Sequence, residues 1–415
     1  MSKQTARSTA ENIGELLCDS GFETRFAGGC VRDELLGLVP RDYDLATTAL
    51  PETVARILKP MGMKVIPTGV SHGTVTVVHE GIPTEVTTLR RDIRCDGRRA
   101  VVAFSTSFEE DAHRRDFTIN ALFKSMTGKI YDYVNGVRDL QNKNLLFVGR
   151  ASRRIQEDSL RMIRYFRFIS RYGWTFHQPY RDIFIKNRKR LTILSKERIK
   201  SEFDELLMTD TGKMLSVMDS LQLFPFLFDG MLQKETLEPD LFSVFPAELQ
   251  RVTWKWYVLF SLKYPESSDY SVHGRKAKLT KKQNLLMSSL QEIICSLKQK
   301  KTGMVPLLSA IHRKLTEPEE VLHFLSWYGQ RFQYTVPDIT RNLLSSMRGK
   351  TIPPVGKYLK TVQPPEKRKQ IAFIFKISWY LGLCQPGDVS NSDKMIRLLQ
   401  QRGFQMEREF NGIKI

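Results

Sequence analysis

The chain carries AGGCVRDELLG at residues 27–37, and RDYDL follows at residues 41–45. A glycine pair between a β-rich run and an apolar helical pattern predicts a strand that ends in a tight turn and opens a helix. Backbone N–H groups at such a turn are donors for phosphate oxygens, and an arginine in the first helical turn adds a cation. We therefore expect Gly28, Gly29 and Arg32 to bind a phosphate group.

The aspartates of the second string, Asp42 and Asp44, stand two residues apart. On a strand this spacing places both carboxylates on one face, with Tyr43 and Leu45 on the other. Paired carboxylates suit Mg²⁺, which keeps several waters and shares substrate phosphates. Each string alone is a weak signal. Together, in a basic protein, they favour nucleotidyl transfer with Asp42 and Asp44 as the catalytic, metal-binding pair.

Composition narrows the class of protein further. The 415 residues allow two or three domains, and 64 Lys and Arg against 45 Asp and Glu give a formal net charge of +19. Such a charge predicts a polyanionic partner, most simply nucleic acid. The five cysteines form no CxxC pair and the seven histidines form no clustered ligand set, so we expect no zinc. The apolar stretch 371–383 contains Lys376 and is too short to cross a bilayer, so we expect no membrane partner.

Secondary-structure patterns change along the chain. Short β-rich runs alternate with turn signals up to about residue 148, and helical periods dominate from about residue 155. This order predicts an α+β head followed by an all-α remainder. The expected strands are 24–27, 74–78, 84–89 and 101–104, and the expected early helices are 8–20 and 31–36.

Positive charge is concentrated between residues 150 and 200, where 15 Lys and Arg stand against four Asp and Glu. Aromatic residues are interleaved with these bases, so we expect the helices of this segment both to pack and to present cations. A solvated helix face is the simpler alternative, but a partner that carries phosphates is favoured.

A further string, RRDFTINAL, occupies residues 114–122. The adjacent Arg114 and Arg115 suit a triphosphate. The candidates for binding a ribose hydroxyl are Asp116, Thr118 and Asn120. The alternative is a helix start with a salt-bridged surface.

The string QEDSLRMIRYFRF occupies residues 156–168. As one helix it forms a polar ridge with a spacing of three residues and an adjacent apolar ridge. The polar ridge is Asp158, Arg161, Arg164 and Arg167, and the apolar ridge is Leu160, Ile163 and Phe166. The alternative is an exposed helix whose ion pairs contribute only about 0.2–0.5 kcal/mol each.

The hydrogen-bonding edges of the bases give this string a sharper interpretation. Cytosine and adenine present an amino donor beside a ring-nitrogen acceptor, whereas uracil and guanine present the reverse. A carboxylate next to an arginine matches the first pair, and a wrong base leaves a buried charged group unpaired. Asp158 and Arg161 are therefore expected to admit C and A, and to refuse U and G, without a nucleic-acid template.

These strings resemble the signature motifs of class II CCA-adding tRNA nucleotidyltransferases. HGTVTVV (72–78), EVTTLR (85–90), DYVNGVRDL (132–140) and SKERIKSEF (195–203) resemble further motifs of that family, in the family's order. The resemblance extends from about residue 25 to 207. It implies a polymerase-β-like head at 1–148, a helical neck with base recognition at 149–225, and a helical tRNA-binding body and tail at 226–415.

The resemblance also implies roles for individual residues. Asp42 and Asp44 would hold Mg²⁺, and Asp158 and Arg161 would act as an amino-acid template for the base. The other implied nucleotide-binding residues are Gly29, Arg32, Arg114 or Arg115, Glu157, Arg164 and Arg167. Glu85 stays open between a third carboxylate near the metal ions and an ordinary exposed strand residue.

The implied reaction is template-independent addition of CCA to the 3′ end of tRNA from CTP and ATP, with release of pyrophosphate, in the mitochondrion and/or the cytoplasm. The alternatives are a poly(A), A-only or CC-only polymerase on the same fold, or a catalytically inactive RNA-binding relative. Residues 91–99 resemble the flexible loop of complete CCA-adding members, and no string of the poly(A) polymerase type follows the first motif. Both features favour complete CCA addition. Residues 351–360 loosely resemble the family tail.

Overall fold

Seven strands form a mixed sheet in the first third of the chain, in the order β3-β4-β5-β2-β1-β8-β9. All neighbouring strands are antiparallel except β2 and β5, which run parallel. The strands β6 and β7 form a separate two-stranded sheet. The strands are β1 (Thr24–Ala27), β2 (Leu45–Thr47), β3 (Lys64–Gly69), β4 (Thr74–His79), β5 (Ile82–Thr88), β6 (Arg90–Cys95), β7 (Ala100–Phe104), β8 (Leu122–Ser125) and β9 (Ile130–Asp132).

This computed structural model describes residues 3–95, 100–210, 212–230, 241–242, 245, 252–264, 269–298, 318–331, 344–345, 375 and 392–401. Of the loop predicted at 91–99, the first five residues belong to β6, and residues 96–99 lie outside the described residues. The tail segment 351–360 also lies outside them.

Helices pack on this sheet and dominate the rest of the described chain. They are α1 (Lys3–Asp19), α2 (Gly29–Leu35), α3 (Pro51–Leu58), α4 (Phe108–Arg114), α5 (Gly136–Gln141), α6 (Ala151–Glu157), α7 (Leu160–Tyr172), α8 (Arg181–Asn187), α9 (Lys196–Thr209), α10 (Lys213–Ser220), α11 (Val252–Lys263), α12 (Tyr270–Lys276), α13 (Lys281–Lys298), α14 (Pro318–Arg331) and α15 (Ser392–Gln401). Every strand of the described residues precedes residue 133, which confirms the predicted α+β head followed by helices.

Alternation along the strands explains the two faces of the sheet. Val75 and Val77 of β4 are buried, as is Val86 of β5, and all three join one apolar core with α1. Helix α1 contributes Ala10, Ile13 and Leu17, whose helical spacing places them on one face. The intervening residues of β5, Glu85 and Thr87, therefore point to the opposite face of the sheet.

The chain divides into two compact units. One is Met1–Thr209 with Val217–Asp229, and the other is Asp210–Ser216 with Gly230–Ile415. In the second unit, α11 and α14 contribute a buried aromatic core that includes Trp254, Tyr257 and Phe324. Among the described residues, no helix is both long enough and apolar enough to cross a membrane.

Aromatic packing anchors helix α7 in the first unit. Tyr165 stacks on Phe147, and Phe168 meets Phe117 edge-to-face, with ring centroids 5.9 and 5.6 Å apart. The predicted apolar ridge is confirmed, since Leu160, Ile163 and Phe166 are buried. The adjacent ridge of α7, which carries Arg161, Arg164 and Arg167, lines a cavity.

The prediction of one continuous helix through residue 158 is wrong. Helix α6 ends at Glu157, Asp158 is extended (φ −152°, ψ 104°), and α7 begins at Leu160. The Asp158 carboxylate accepts a hydrogen bond from the Leu160 backbone N–H at 3.1 Å. Aspartate competes in this way for backbone donors and favours a helix start over a helix interior.

Substitution of Gly136 is predicted to destabilise the first unit. A Cβ there would lie 2.2 Å from the Thr118 carbonyl oxygen, which is backbone and cannot rotate away. We expect Gly136→Ala to lower the free energy of unfolding by about 1–3 kcal/mol in urea denaturation. Gly69→Ala is the control, because its Cβ would make only ordinary contact with Thr74 at 3.5 Å. Equal effects of the two substitutions would contradict this account.

Candidate active site

A cavity of about 560 Å³ in the first unit is lined by the sheet and by the helices that follow it. The sheet side contributes Asp44 and Glu85 together with the glycine turn, and the helical side contributes Asp158 and the arginines of α7. Eight arginines and four carboxylates line it. They are Arg32, Arg90, Arg114, Arg115, Arg161, Arg164, Arg167 and Arg198, and Asp44, Glu85, Asp116 and Asp158. The cavity therefore brings together the strings that the sequence separates by more than a hundred residues.

The glycine turn has the predicted structure. Strand β1 ends at Ala27, α2 begins at Gly29, and Gly28 between them has φ 70° and ψ −111°, which L side chains rarely adopt. A Cβ on Gly28 would also lie 2.8 Å from the Arg115 guanidinium. Gly28 thus lets the backbone turn and leaves room for a cation beside it. Both glycines line the cavity.

Arg32 is held in place from several directions. Its guanidinium donates to Asp33 at 2.8 Å and to the side-chain oxygen of Asn120. It also lies 5.2 Å from the Phe168 ring centre and 5.4 Å from that of Tyr172, both on α7. Arg32 is buried, yet it lines the cavity. It presents a positioned positive charge next to the glycine turn.

Asp42 and Asp44 precede the strand on which they were predicted to lie, so that prediction is wrong. Strand β2 starts at Leu45, and Asp44 still accepts a backbone hydrogen bond from Ala27 at 2.9 Å. The pairing of β2 with β1 stops at Asp44 because the backbone after β1 turns away at Gly28. The predicted alternation persists, since Tyr43 and Leu45 are buried and Asp42 is exposed. Asp44 lines the cavity, whereas Asp42 lies outside its lining.

Glu85 stands next to Asp44. The parallel register pairs Leu45 with Val86, so the preceding residues of the two strands are neighbours as well. Burial, followed by the negative charges of Glu85 and Asp42, raises the pKa of Asp44 to about 6, and Arg115 opposes this more weakly. Within the described part of the chain, none of these three side chains has a hydrogen-bond or ion-pair partner.

Such a cluster of unneutralised carboxylates is suited to a cation. Among the described residues no three His, Cys, Asp or Glu side chains form a complete metal site. Two carboxylates fit a metal that takes its remaining oxygen ligands from water and phosphate, as Mg²⁺ does. Asp42 and Asp44 therefore fit a divalent metal ion, with Glu85 as the neighbouring third carboxylate.

Arg114 and Arg115 are both anchored on Asp111 of helix α4. The shortest contacts to its two oxygens are 2.6 Å from Arg114 and 2.9 Å from Arg115. Burial would raise the pKa of Asp111, but the charges of Arg115 and Arg114 outweigh it and lower that pKa. Arg115 also donates to the Asn120 carbonyl at 3.1 Å. Both arginines line the cavity, so the geometry leaves both as candidates.

The three ribose candidates differ in their surroundings. Thr118 does not line the cavity and donates to the buried Asp139 at 2.7 Å. Asp116 and Asn120 do line it. Asp116 accepts from Asn120 at 3.1 Å and from Arg164 at 2.9 Å. Burial would raise the pKa of Asp116, but Arg164 in particular outweighs it and lowers that pKa to about 2.

The proposed base-reading residues face the cavity from the helical side. Arg161 donates to Glu157 at 3.0 Å, to the Arg154 carbonyl at 3.1 Å and to the Arg114 carbonyl at 3.3 Å. Glu157 lies outside the cavity lining and supports Arg161 from behind. Asp158 lines the cavity and accepts from Arg198 at 2.8 Å.

Arg164 and Arg167 share a single carboxylate, Glu202 of α9. Its two oxygens accept from Arg164 at 2.9 Å and from Arg167 at 2.8 Å. The sequence analysis gave the segment 195–203 a motif resemblance and no site role, so it missed both Glu202 and the cavity-lining Arg198. The acid–base spacing of that segment was the available signal, but it does not show which way the helix faces.

Comparisons with known proteins find similar sequences and a similar fold. Residues 24–146 match the family described as poly A polymerase head domain. The mitochondrial CCA tRNA nucleotidyltransferase 1 of Mus musculus is 43% identical over 205 residues, which are 48% of this chain and 47% of that protein. The CCA-adding enzyme of Bacillus pumilus is 38% identical over 233 residues, which are 55% of this chain and 56% of that protein. The chain thus spans about half the length of the curated relatives it matches.

The fold extends the similarity beyond these matched residues. The crystal structure of the Bacillus stearothermophilus CCA-adding enzyme with CTP is similar with a TM-score of 0.71 and 25% identity, over 95% of this chain and 98% of that one. Residues 24–146 thus resemble the poly A polymerase head domain, and the fold over nearly the whole chain is that of a CCA-adding enzyme. This likeness confirms the predicted head fold.

The raised pKa of Asp44 gives the stability of this protein a specific pH dependence. An unfolded aspartate titrates near pH ~3.9, and the folded pKa is about 6. Between these values the folded state binds more protons, so wild-type stability falls as pH rises, relative to an Asp44→Asn variant that carries no charge.

Urea denaturation of both proteins in EDTA, at about pH 5 and about pH 8, measures this difference. We expect the stability advantage of Asp44→Asn to be larger at the higher pH. An advantage that stays constant between the two conditions would count against the carboxylate cluster.

Proposed function

We propose that the protein adds nucleotides to the 3′ end of tRNA without a nucleic-acid template and completes the CCA sequence from CTP and ATP. One observation carries this proposal: a single cavity holds the unneutralised Asp44 and Glu85 on one side and Asp158 with Arg161 on the other. The names of the relatives, CCA tRNA nucleotidyltransferase and CCA-adding enzyme, support the same activity.

In this proposal the triphosphate binds at the glycine turn. Gly28 and Gly29 allow close approach of the backbone, and Arg32 supplies a positioned cation. Arg114 and Arg115 add two more guanidinium groups, both held by Asp111. Anchored donors of this kind bind a phosphate with little loss of side-chain entropy.

The reaction joins the tRNA 3′ oxygen to the α-phosphate of the nucleotide. The bond between the α-phosphate and its bridging oxygen breaks, pyrophosphate leaves, and the hydroxyl proton is lost to solvent. Asp42 and Asp44 would hold Mg²⁺, with Glu85 beside them. When bound there, the metal supplies charge neutralisation at the phosphates and activation of the attacking hydroxyl.

The base is read on the opposite side of the cavity. Arg161 is held by Glu157 and by two backbone carbonyls, so its remaining donors face a ring nitrogen or a carbonyl of the base. Asp158 accepts the amino group of cytosine or adenine. Arg164 and Arg167, held by Glu202, line the same cavity from the helix that carries Arg161.

The tRNA is proposed to bind the helical part of the chain through its phosphates. The 15 Lys and Arg between residues 150 and 200 supply this charge, and such contacts follow RNA shape more than sequence. We assign the head to 1–148, the neck to 149–225 and the body and tail to 226–415. The mammalian relative carries the word mitochondrial in its name, so we propose the mitochondrion, with the cytoplasm as the alternative.

Polymerases that add only C, only A or long A tails are the main rivals. The segment that resembles the loop of complete CCA-adding enzymes, residues 91–99, begins within strand β6, which pairs with β7. This resemblance favours complete addition.

An extension assay tests the proposal. The substrate is a tRNA transcript that ends at the discriminator base, given with CTP, ATP or both, and its 3′ ends are then sequenced. We expect CC with CTP alone and CCA with both nucleotides. Long A tails would support a poly(A) polymerase, and no extension with Mg²⁺ would support an inactive RNA-binding protein.

The control for this assay is Asp42→Ala. We expect it to abolish extension, because one of the two metal-binding carboxylates is lost, while tRNA binding measured by filter retention stays close to wild type. Extension at an unchanged rate would remove Asp42 from the proposed catalytic pair.

Loss of Arg161 is predicted to relax nucleotide choice. The removed guanidinium is the fixed partner of the base, so we expect Arg161→Ala to lower the preference of CTP over UTP by about tenfold or more in kcat/KM. Single-nucleotide incorporation with each of the four nucleotides measures this preference. A uniform decrease for all four would argue against a template role.

A further inference from the structure

The carboxylate of Asp158 is held at both oxygens. One oxygen accepts from the Leu160 backbone N–H at 3.1 Å, and the other accepts from the Arg198 guanidinium at 2.8 Å. Arg198 lies on α9, forty residues further along the chain, and it lines the same cavity as Asp158. A base that uses Asp158 as an acceptor therefore meets a carboxylate whose orientation Arg198 determines.

Arg161 and Arg198 are held very differently. Arg161 has three acceptors and a side chain that is 13% exposed. Arg198 makes its side-chain contact, among the described residues, to Asp158 alone, and its side chain is 40% exposed. Arg161 is thus a rigid donor. The position of the Arg198 guanidinium depends on its contact with Asp158, and the orientation of the Asp158 carboxylate depends on the same contact.

We propose that Arg198 is a positioning residue that sets nucleotide choice by orienting Asp158. This inference rests on the proposed base-reading role of Asp158. With one oxygen bound to the Leu160 backbone, rotation of the carboxylate is limited by the other oxygen, and Arg198 supplies that restraint. A charge-assisted hydrogen bond of this length is directional and stronger than a neutral one.

The restraint matters because base selection depends on direction. An oriented carboxylate offers a lone pair to the amino group of C or A and a repulsive charge to the carbonyl of U or G. A carboxylate that rotates freely loses alignment with the amino group and withdraws from the carbonyl. Loss of Arg198 therefore weakens the binding of C and A and reduces the repulsion of U and G.

The main test is Arg198→Ala in the full chain, with single-nucleotide incorporation on the same tRNA transcript. We expect kcat/KM for CTP to fall, chiefly through KM, and the ratio of CTP to UTP incorporation to fall by about tenfold. Arg198→Lys keeps a cation on a flexible stem and is expected to recover part of this ratio. It also serves as the test variant if the alanine variant does not fold.

Lys196→Ala is the matched control. Lys196 lies on the same helix, pairs with Asp229 and does not line the cavity. Its substitution removes one positive charge, as Arg198→Ala does, but away from the base. We expect the CTP to UTP ratio of this variant to equal that of the wild type.

A double variant separates positioning from direct contact. If Arg198 acts through Asp158, adding Arg198→Ala to Asp158→Ala leaves the nucleotide ratio of Asp158→Ala unchanged. A further loss in the double variant, or an equal rise in KM for all four nucleotides in Arg198→Ala, would identify a phosphate or tRNA contact and overturn the inference.

The wild-type protein distinguishes failure of this inference from failure of the proposed function. A wild type that does not extend tRNA removes the proposed function itself. A wild type that adds CCA while Arg198→Ala keeps full discrimination overturns only the positioning role.

Discussion

The carboxylate of Asp116 joins the two ends of the candidate site. One oxygen accepts from Asn120, whose own side-chain oxygen accepts from Arg32 at the glycine turn, and the other accepts from Arg164 on α7. Its pKa of about 2 reflects the charge of Arg164, which outweighs burial. Loss of either partner would leave the other charge partly buried and without its main ion pair. The geometry that relates the glycine turn to α7 therefore depends on one partly buried carboxylate.

Paired and unpaired acidic side chains lie on different sides of the cavity. Acidic side chains on the helical side of the cavity are each paired with an arginine, as Asp158 is with Arg198 and Glu202 is with Arg164. Asp44 and Glu85 have no such partner in the described part of the chain. The carboxylates are neutralised by arginines where side chains must be held in place, and they lack such partners where a cation would bind. This asymmetry is the strongest local argument for a metal-dependent reaction.

Local patterns predicted the parts of the site that depend on nearby residues. The turn at Gly28 followed from two glycines between a strand and a helix, and the buried ridge of α7 followed from its spacing. The break at Asp158 was missed because the three-residue spacing continues through it, and a single side-chain bond to Leu160 decides the outcome. The position of Glu85 depends on the parallel register of β2 and β5, which are distant in sequence. The role of Arg198 depends on how α9 packs, which its own sequence does not show.

The excess of guanidinium groups around the cavity would attract the anionic product of the proposed reaction as well as its anionic substrate. Eight arginines against four carboxylates attract a triphosphate, and they attract the departing diphosphate too. Tight capture and fast turnover therefore oppose each other in this pocket. In the proposed reaction, the arginines that bind the triphosphate would therefore also slow the release of pyrophosphate.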